Sequence, residues 1–108
     1  MINQVRVTNA TGAVAIATTL APAQDFRLVE VRVHLSAAGG AGNLTATVDA
    51  AAGAAYDINV ITQDMTTVTD LIWQPERPIQ FFSGDEIDFA WANGAGRTYG
   101  LTIVWEAM

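Results

Sequence analysis

Three acids fall within four residues of the stretch SGDEIDF: Asp85, Glu86 and Asp88. The chain has only eleven acids and five bases among 108 residues, so such a cluster raises the question of chemistry. A calcium site needs six to eight oxygens converging from a looping backbone. A catalytic carboxylate pair needs one acid desolvated so that it can hold a proton. The alternation around the cluster supplies neither. Glu86 and Asp88 fall on the face opposite Ile87 and Phe89, while Gly84-Asp85 occupies a turn. Two outward strand carboxylates and one turn carboxylate are too few for calcium, and nothing beside them promises burial. Asp85 is therefore expected to accept backbone N–H groups in its turn, with Glu86 and Asp88 on a wet sheet face.

His34 is the only histidine, and there is no cysteine. A zinc site would have to take its remaining ligands from carboxylates, against the usual nitrogen and sulfur donor set, so no metal site is predicted. His34 lies on one face of LVEVRVHL with Glu30 and Arg32, which marks it as a solvent or subunit-contact residue. Ser36 and Ser83 could in principle join it in a Ser-His-Asp arrangement, but neither stands in a nucleophile elbow. The glycine-rich AAGGAG and NGAG do not run into a helix whose N-terminus could hold an anion. No catalytic residue and no cofactor are predicted. Among the aromatics, Trp73, Tyr56 and Tyr99 are candidates for an interface or for stacking a sugar ring. Trp91 and Trp105 are expected to pack across the last two strands.

Nearly every segment that would carry these residues alternates with period two, the pattern of half-buried strands. Val5 and Val7 begin it, followed by Val14, Ile16, Thr18 and Leu20 on one face. In LVEVRVHL, Val29, Val31, Val33 and Leu35 point one way and Glu30, Arg32 and His34 the other. Leu44, Ala46 and Val48 are predicted inward, and Tyr56, Ile58 and Val60 share a side. TTVTDLIW is rich in β-branched residues without a clear face. Pro75 and Pro78 lack the donors a ladder needs, so QPERP is predicted to carry the chain between sheets. Ile79–Phe82 is a short strand. Ile87, Phe89 and Trp91 line the next, and Tyr99, Leu101, Ile103 and Trp105 line the last, with NGAGRT as their hairpin. No window shows helical spacing, and glycines interrupt the alanine runs. Eight or nine short strands at this spacing predict one all-β domain over 1–108, an antiparallel, jelly-roll-like β-sandwich.

Composition narrows the partners. The net charge is −6, and all five bases are arginine; an acidic surface repels phosphate backbones, so no nucleic-acid partner is expected. No apolar run approaches the length of a membrane-spanning helix. The run AVAIATTLA before Ala21-Pro22-Ala23 imitates a secretory leader, but Thr18 and Thr19 dilute it. Without disulfide staples, a chain this short must rely on packing or on assembly with its own copies.

The GDEIDFAW strand, the NGAGRTYG hairpin and the closing strand LTIVWEAM resemble the small β-sandwich accessory proteins of tailed-phage virions: capsid decoration (cement), head-fibre and tail components. The same strands are similar to the trimeric jelly rolls of the tumour-necrosis-factor and C1q type. The resemblance is confined to the last quarter of the chain and carries over no residue-level role. It implies a non-enzymatic virion protein that forms homo-oligomers, trimers above all, and binds a major capsid or other virion protein. Independently of it, the apolar or small residues on both faces of GAVAIATTL and TVTDLIW exceed what one core requires, the mark of an interface. The N-terminal segment INQVRVT is a candidate for adding to a neighbour's sheet edge. The second reading is a carbohydrate-binding module that stacks a glycan on Trp73, Tyr56 and Tyr99.

Overall fold

Nine strands and one 3₁₀ turn make up the regular structure of residues 4–108, the part of the chain described by the computed structural model. The strands are β1 (Gln4–Gly12), β2 (Ile16–Leu20), β3 (Phe26–Leu35), β4 (Asn43–Asp49), β5 (Ile58–Asp64), β6 (Asp70–Trp73), β7 (Ile79–Phe81), β8 (Glu86–Trp91) and β9 (Tyr99–Ala107). One sheet runs β1-β9-β3-β6, with β7 also paired to β3, and the other runs β2-β8-β4-β5. Every pairing is antiparallel. The pairs β1·β9, β2·β8, β3 with β6 and β7, and β4·β5 are nested along the sequence. They form one long hairpin rolled over into two facing sheets, which is the jelly roll. The all-β sandwich expected from the alternation is thus the fold.

The core lies between the sheets. Val31, Val33 and Leu35 face Leu44, Ala46, Val48, Ile87 and Phe89 across it, and Leu101 and Ile103 complete the layer; all are buried. Phe26 is fully buried, stacked on Phe81 at 5.2 Å and met edge-on by Trp105 at 6.1 Å. Aromatic pairs at such distances add about 0.5–1.5 kcal/mol beyond the area they remove from water.

Strict period-two reading fails in β3. The register shifts between Leu28 and Glu30, so Val29 is the extra residue of a bulge and is only half-buried. Leu28 and Val31, three positions apart, both reach the core, because a bulge resets which face the alternation serves. A second shift makes Val60 the extra residue of β5, since Ala46 pairs with Ile61 and Thr47 with Asn59. The buried residue of that strand is therefore Ile61, while Tyr56 and Ile58 are exposed. Val14 precedes β2 and is 74% exposed, not part of the Ile16–Leu20 face.

Two connections also differ from the sequence reading. QPERP does not change sheets: β6 and β7 lie end to end along the same edge of β3, and residues 74–78 loop out between them. The prolines fit there because a loop-out asks nothing of their missing donors. NGAGRT is not a hairpin, because β8 and β9 belong to opposite sheets. Trp91 and Trp105 accordingly do not pair across strands. Trp91 closes one end of the core beneath the Gly39–Gly42 loop, and Trp105 packs on Phe26.

Candidate functional site

Of the three acids that open the question of chemistry, Asp85 fastens turns and Glu86 and Asp88 lie on strand β8. Asp85 accepts the Phe82 N–H through Oδ2 and the Ala51 N–H through Oδ1, each at 2.9 Å. One carboxylate thus holds the crossover from β7 to β8 and ties it to the turn between β4 and β5. Asp57 and Asp25 do similar work at 2.9 Å, accepting the N–H groups of Ala50 and Ser83. Glu86 sits across from Asp49, and Asp88 accepts the Thr19 hydroxyl at 2.7 Å. These carboxylates oppose other acids or bind threonine, and among the described residues no group of three or more histidines or acids is placed to hold a metal ion.

A second array of polar side chains lies on the outer face of the five-stranded sheet. The register forms rows across it: Thr11, Gly100, His34 and Asp70 in one, Asn9, Thr102, Arg32 and Ile72 in the next. His34 Nδ1 stands 2.5 Å from Asp70 Oδ1, with both side chains more than 70% exposed. Arg32 Nε and Gln74 Nε2 both donate to the carboxylate of Glu30. Glu30 faces outward with Arg32 and His34, as the alternation predicts, yet it is buried, with Arg32 and Gln74 closed over its carboxylate. Gly100 lacks a side chain in the middle of this face. The result is a shallow depression of about 480 Å³ floored by Gly100 and Thr102 and walled by Arg32, His34, Asp70 and Ile72.

A histidine oriented by an aspartate is two-thirds of a Ser-His-Asp set, which also requires a nucleophile in hydrogen-bond contact with the ring. Ser36 Oγ instead accepts the Thr98 N–H at 3.0 Å, and Ser83 lies at the opposite end of the sandwich beside Asp25. The face presents a donor-acceptor pair, a guanidinium and threonine hydroxyls on an open sheet, together with the exposed aliphatics Val5, Val7 and Ile72.

The three aromatic candidates do not come together. Tyr99 is 7% exposed and forms part of the core. Trp73 sits opposite the inward-facing Val31 and packs against the core from the sheet edge. Tyr56 alone is open, at 67% exposure, in the 3₁₀ turn of the other sheet. A flat aromatic strip is absent from the described residues.

Sequence reading missed Asn93. It is buried with φ +50°, and its amide donates to the carbonyls of Val14 (2.9 Å) and Arg97 (2.8 Å) while its oxygen accepts the Arg97 N–H (2.8 Å). Asparagine followed by glycine is the available signal, since both tolerate left-handed backbone. Gly100 carried a signal too: a glycine inside a strand leaves a gap in the row of side chains on its face. Asp70 carried no local signal, because its partner is 36 positions away. The chain matches no protein-family model and no curated protein.

Proposed function

We propose that this protein is a non-catalytic structural component of a virion, a decoration or spike protein that self-associates and binds a larger shell. The observation that supports the reading best is the outer face of the five-stranded sheet. Val5, Val7 and Ile72 are 64%, 57% and 68% exposed there, and Val7 lies beside the half-buried Val104. Exposed aliphatics rimmed by polar groups are what a docking surface looks like before its partner arrives. The jelly roll is a fold of viral capsid domains and of lectins alike, and fold by itself assigns no role. Between those two, the dispersal of Trp73, Tyr56 and Tyr99 favours the structural role over glycan binding.

Light scattering coupled to size-exclusion chromatography tests the reading directly. The expected result is a homo-oligomer at micromolar concentration. A strict monomer at high micromolar concentration would remove self-association, on which the proposed role depends.

A further inference from the structure

The two sheets have four edges, and three are visibly closed to other strands. β2 has only five residues and is followed by Pro22. β5 carries the bulge at Val60, follows Asp57 and ends in Asp64. The β6–β7 edge is broken by the loop that contains Pro75 and Pro78. Short strands, bulges, charges and prolines are the usual means by which proteins stop unwanted strand pairing. β1 has only one of them, the single charge of Arg6. It runs nine residues in unbroken register against β9, contains no proline, acid or lysine, and pairs with nothing on its other side among the described residues.

We infer that β1 pairs antiparallel with β1 of a second copy about a two-fold axis at Thr8, which joins two five-stranded sheets into one. This rests on the self-association proposed above and names its site. The strand is complementary to itself in that register. Arg6, its only charge, falls opposite Ala10 of the other copy, so the two guanidiniums do not meet. Val7 falls opposite Asn9 and Val5 opposite Thr11, so each long side chain meets a short or polar one. Like charges directly opposite would have been destabilising. Because the other edges are closed, growth stops at two copies through this contact, as a two-fold interface requires. Ile2 and Asn3 of the segment INQVRVT lie outside the described residues, and the pairing uses Gln4–Gly12 alone.

The test uses the full chain, which has no cysteine of its own. In Thr8→Cys the two thiols face each other across the axis, where antiparallel partners are about 4.5–5.5 Å apart at Cα, within disulfide range. Mild oxidation is expected to yield a covalent dimer on non-reducing gels, while Thr19→Cys on β2 and Asn59→Cys on β5 stay monomeric. The double variant Val7→Lys/Asn9→Lys sets lysine opposite lysine twice and is expected to raise the dimer Kd about tenfold or more. Val7→Lys/Asn9→Asp sets lysine opposite aspartate and restores pairing, which a merely damaged fold would not do. A dimer Kd unchanged in the double-lysine variant, or an oligomer that Thr8→Cys fails to link, overturns this pairing and leaves self-association standing. A wild-type monomer at high micromolar concentration overturns both.

Discussion

Asn93 Nδ2 donates to the carbonyl oxygen of Val14 across 79 positions of sequence, at 2.9 Å. This bond fastens the β8–β9 crossover to the β1–β2 crossover, so two connections between sheets close the same end of the sandwich together. The Asn93→Ala variant loses this bond and both bonds to Arg97 inside a buried site. A destabilisation of about 2–4 kcal/mol is expected, since each unmade buried bond costs about 1–3 kcal/mol and the effects overlap. Asn93→Asp should be no milder, because an acceptor-only side chain would face two carbonyl oxygens. Urea unfolding of the three proteins measures the order.

Gly39 is fixed by its neighbours. A Cβ there would stand 2.6 Å from the carbonyl oxygen of Met65 and 3.0 Å from Trp91 Cζ2. The nearer atom is backbone and cannot swing away, so Gly39→Ala is expected to destabilise by about 1–3 kcal/mol. Gly100→Ala is the control: its Cβ would enter open space, and thermal unfolding should show no loss.

Ala23 occupies left-handed backbone at φ +58°, which follows Pro22 in the turn before β3. An L-residue with a Cβ costs about 1–2 kcal/mol there, and glycine removes that strain at the expense of a more flexible unfolded chain. Ala23→Gly is therefore expected to be neutral to stabilising, by up to about 1 kcal/mol. A fall in Tm would show that the Ala23 methyl group makes contacts that outweigh the strain.

Asp64 ends β5, and Oδ1 receives the Thr66 hydroxyl at 2.6 Å and the Thr66 N–H at 3.0 Å. The hydroxyl bond first, then the backbone bond, hold its carboxyl below the ordinary value of 3.8. A carboxylate depressed in the folded state stabilises it fully above the unfolded pKa, and the contribution is lost as pH falls through the folded one. Carboxyl-carbon NMR titration should place the Asp64 midpoint below 3.8. Thr66→Val should move it back up while leaving the backbone bond in place. An unchanged midpoint in the variant would assign the depression to the backbone alone.

How much of this was legible in the sequence follows from the range of each interaction. The strands were readable because alternation is local: Leu44, Ala46 and Val48 fall inward as their spacing requires. Asp85 was readable because glycine-aspartate turns have their own chemistry, though the reach to Ala51 was not. Bulges were not readable. Val29 and Val60 look like ordinary strand valines, and only the register of the neighbouring strand makes each one the extra residue. Sheet membership was hidden for the same reason, since NGAGRT serves a hairpin or an inter-sheet crossing equally well. His34 was legible as an outward residue of β3, but its meeting with Asp70 depends on a pairing that no local pattern announces.

β9 is the final strand in sequence, yet it lies in the interior of its sheet, flanked by β1 and β3. A ribosome must therefore deliver residues 99–107 before β1 has a partner within its own chain or can join β3 in one sheet. Until then the nascent polypeptide holds its opening strand apart from β3 by a gap only the last segment can fill. Completion of the larger sheet is thereby deferred until that segment is made, and loop closure between partners as distant as Val5 and Glu106 makes the step slow. Until then Val31 and Val33 of β3 lack Ile103 and Leu101, which lie beside them in the buried layer of the finished sheet. Expression at lowered temperature or with chaperones should then raise the soluble yield, because time spent in that unfinished state is when chains stick to one another.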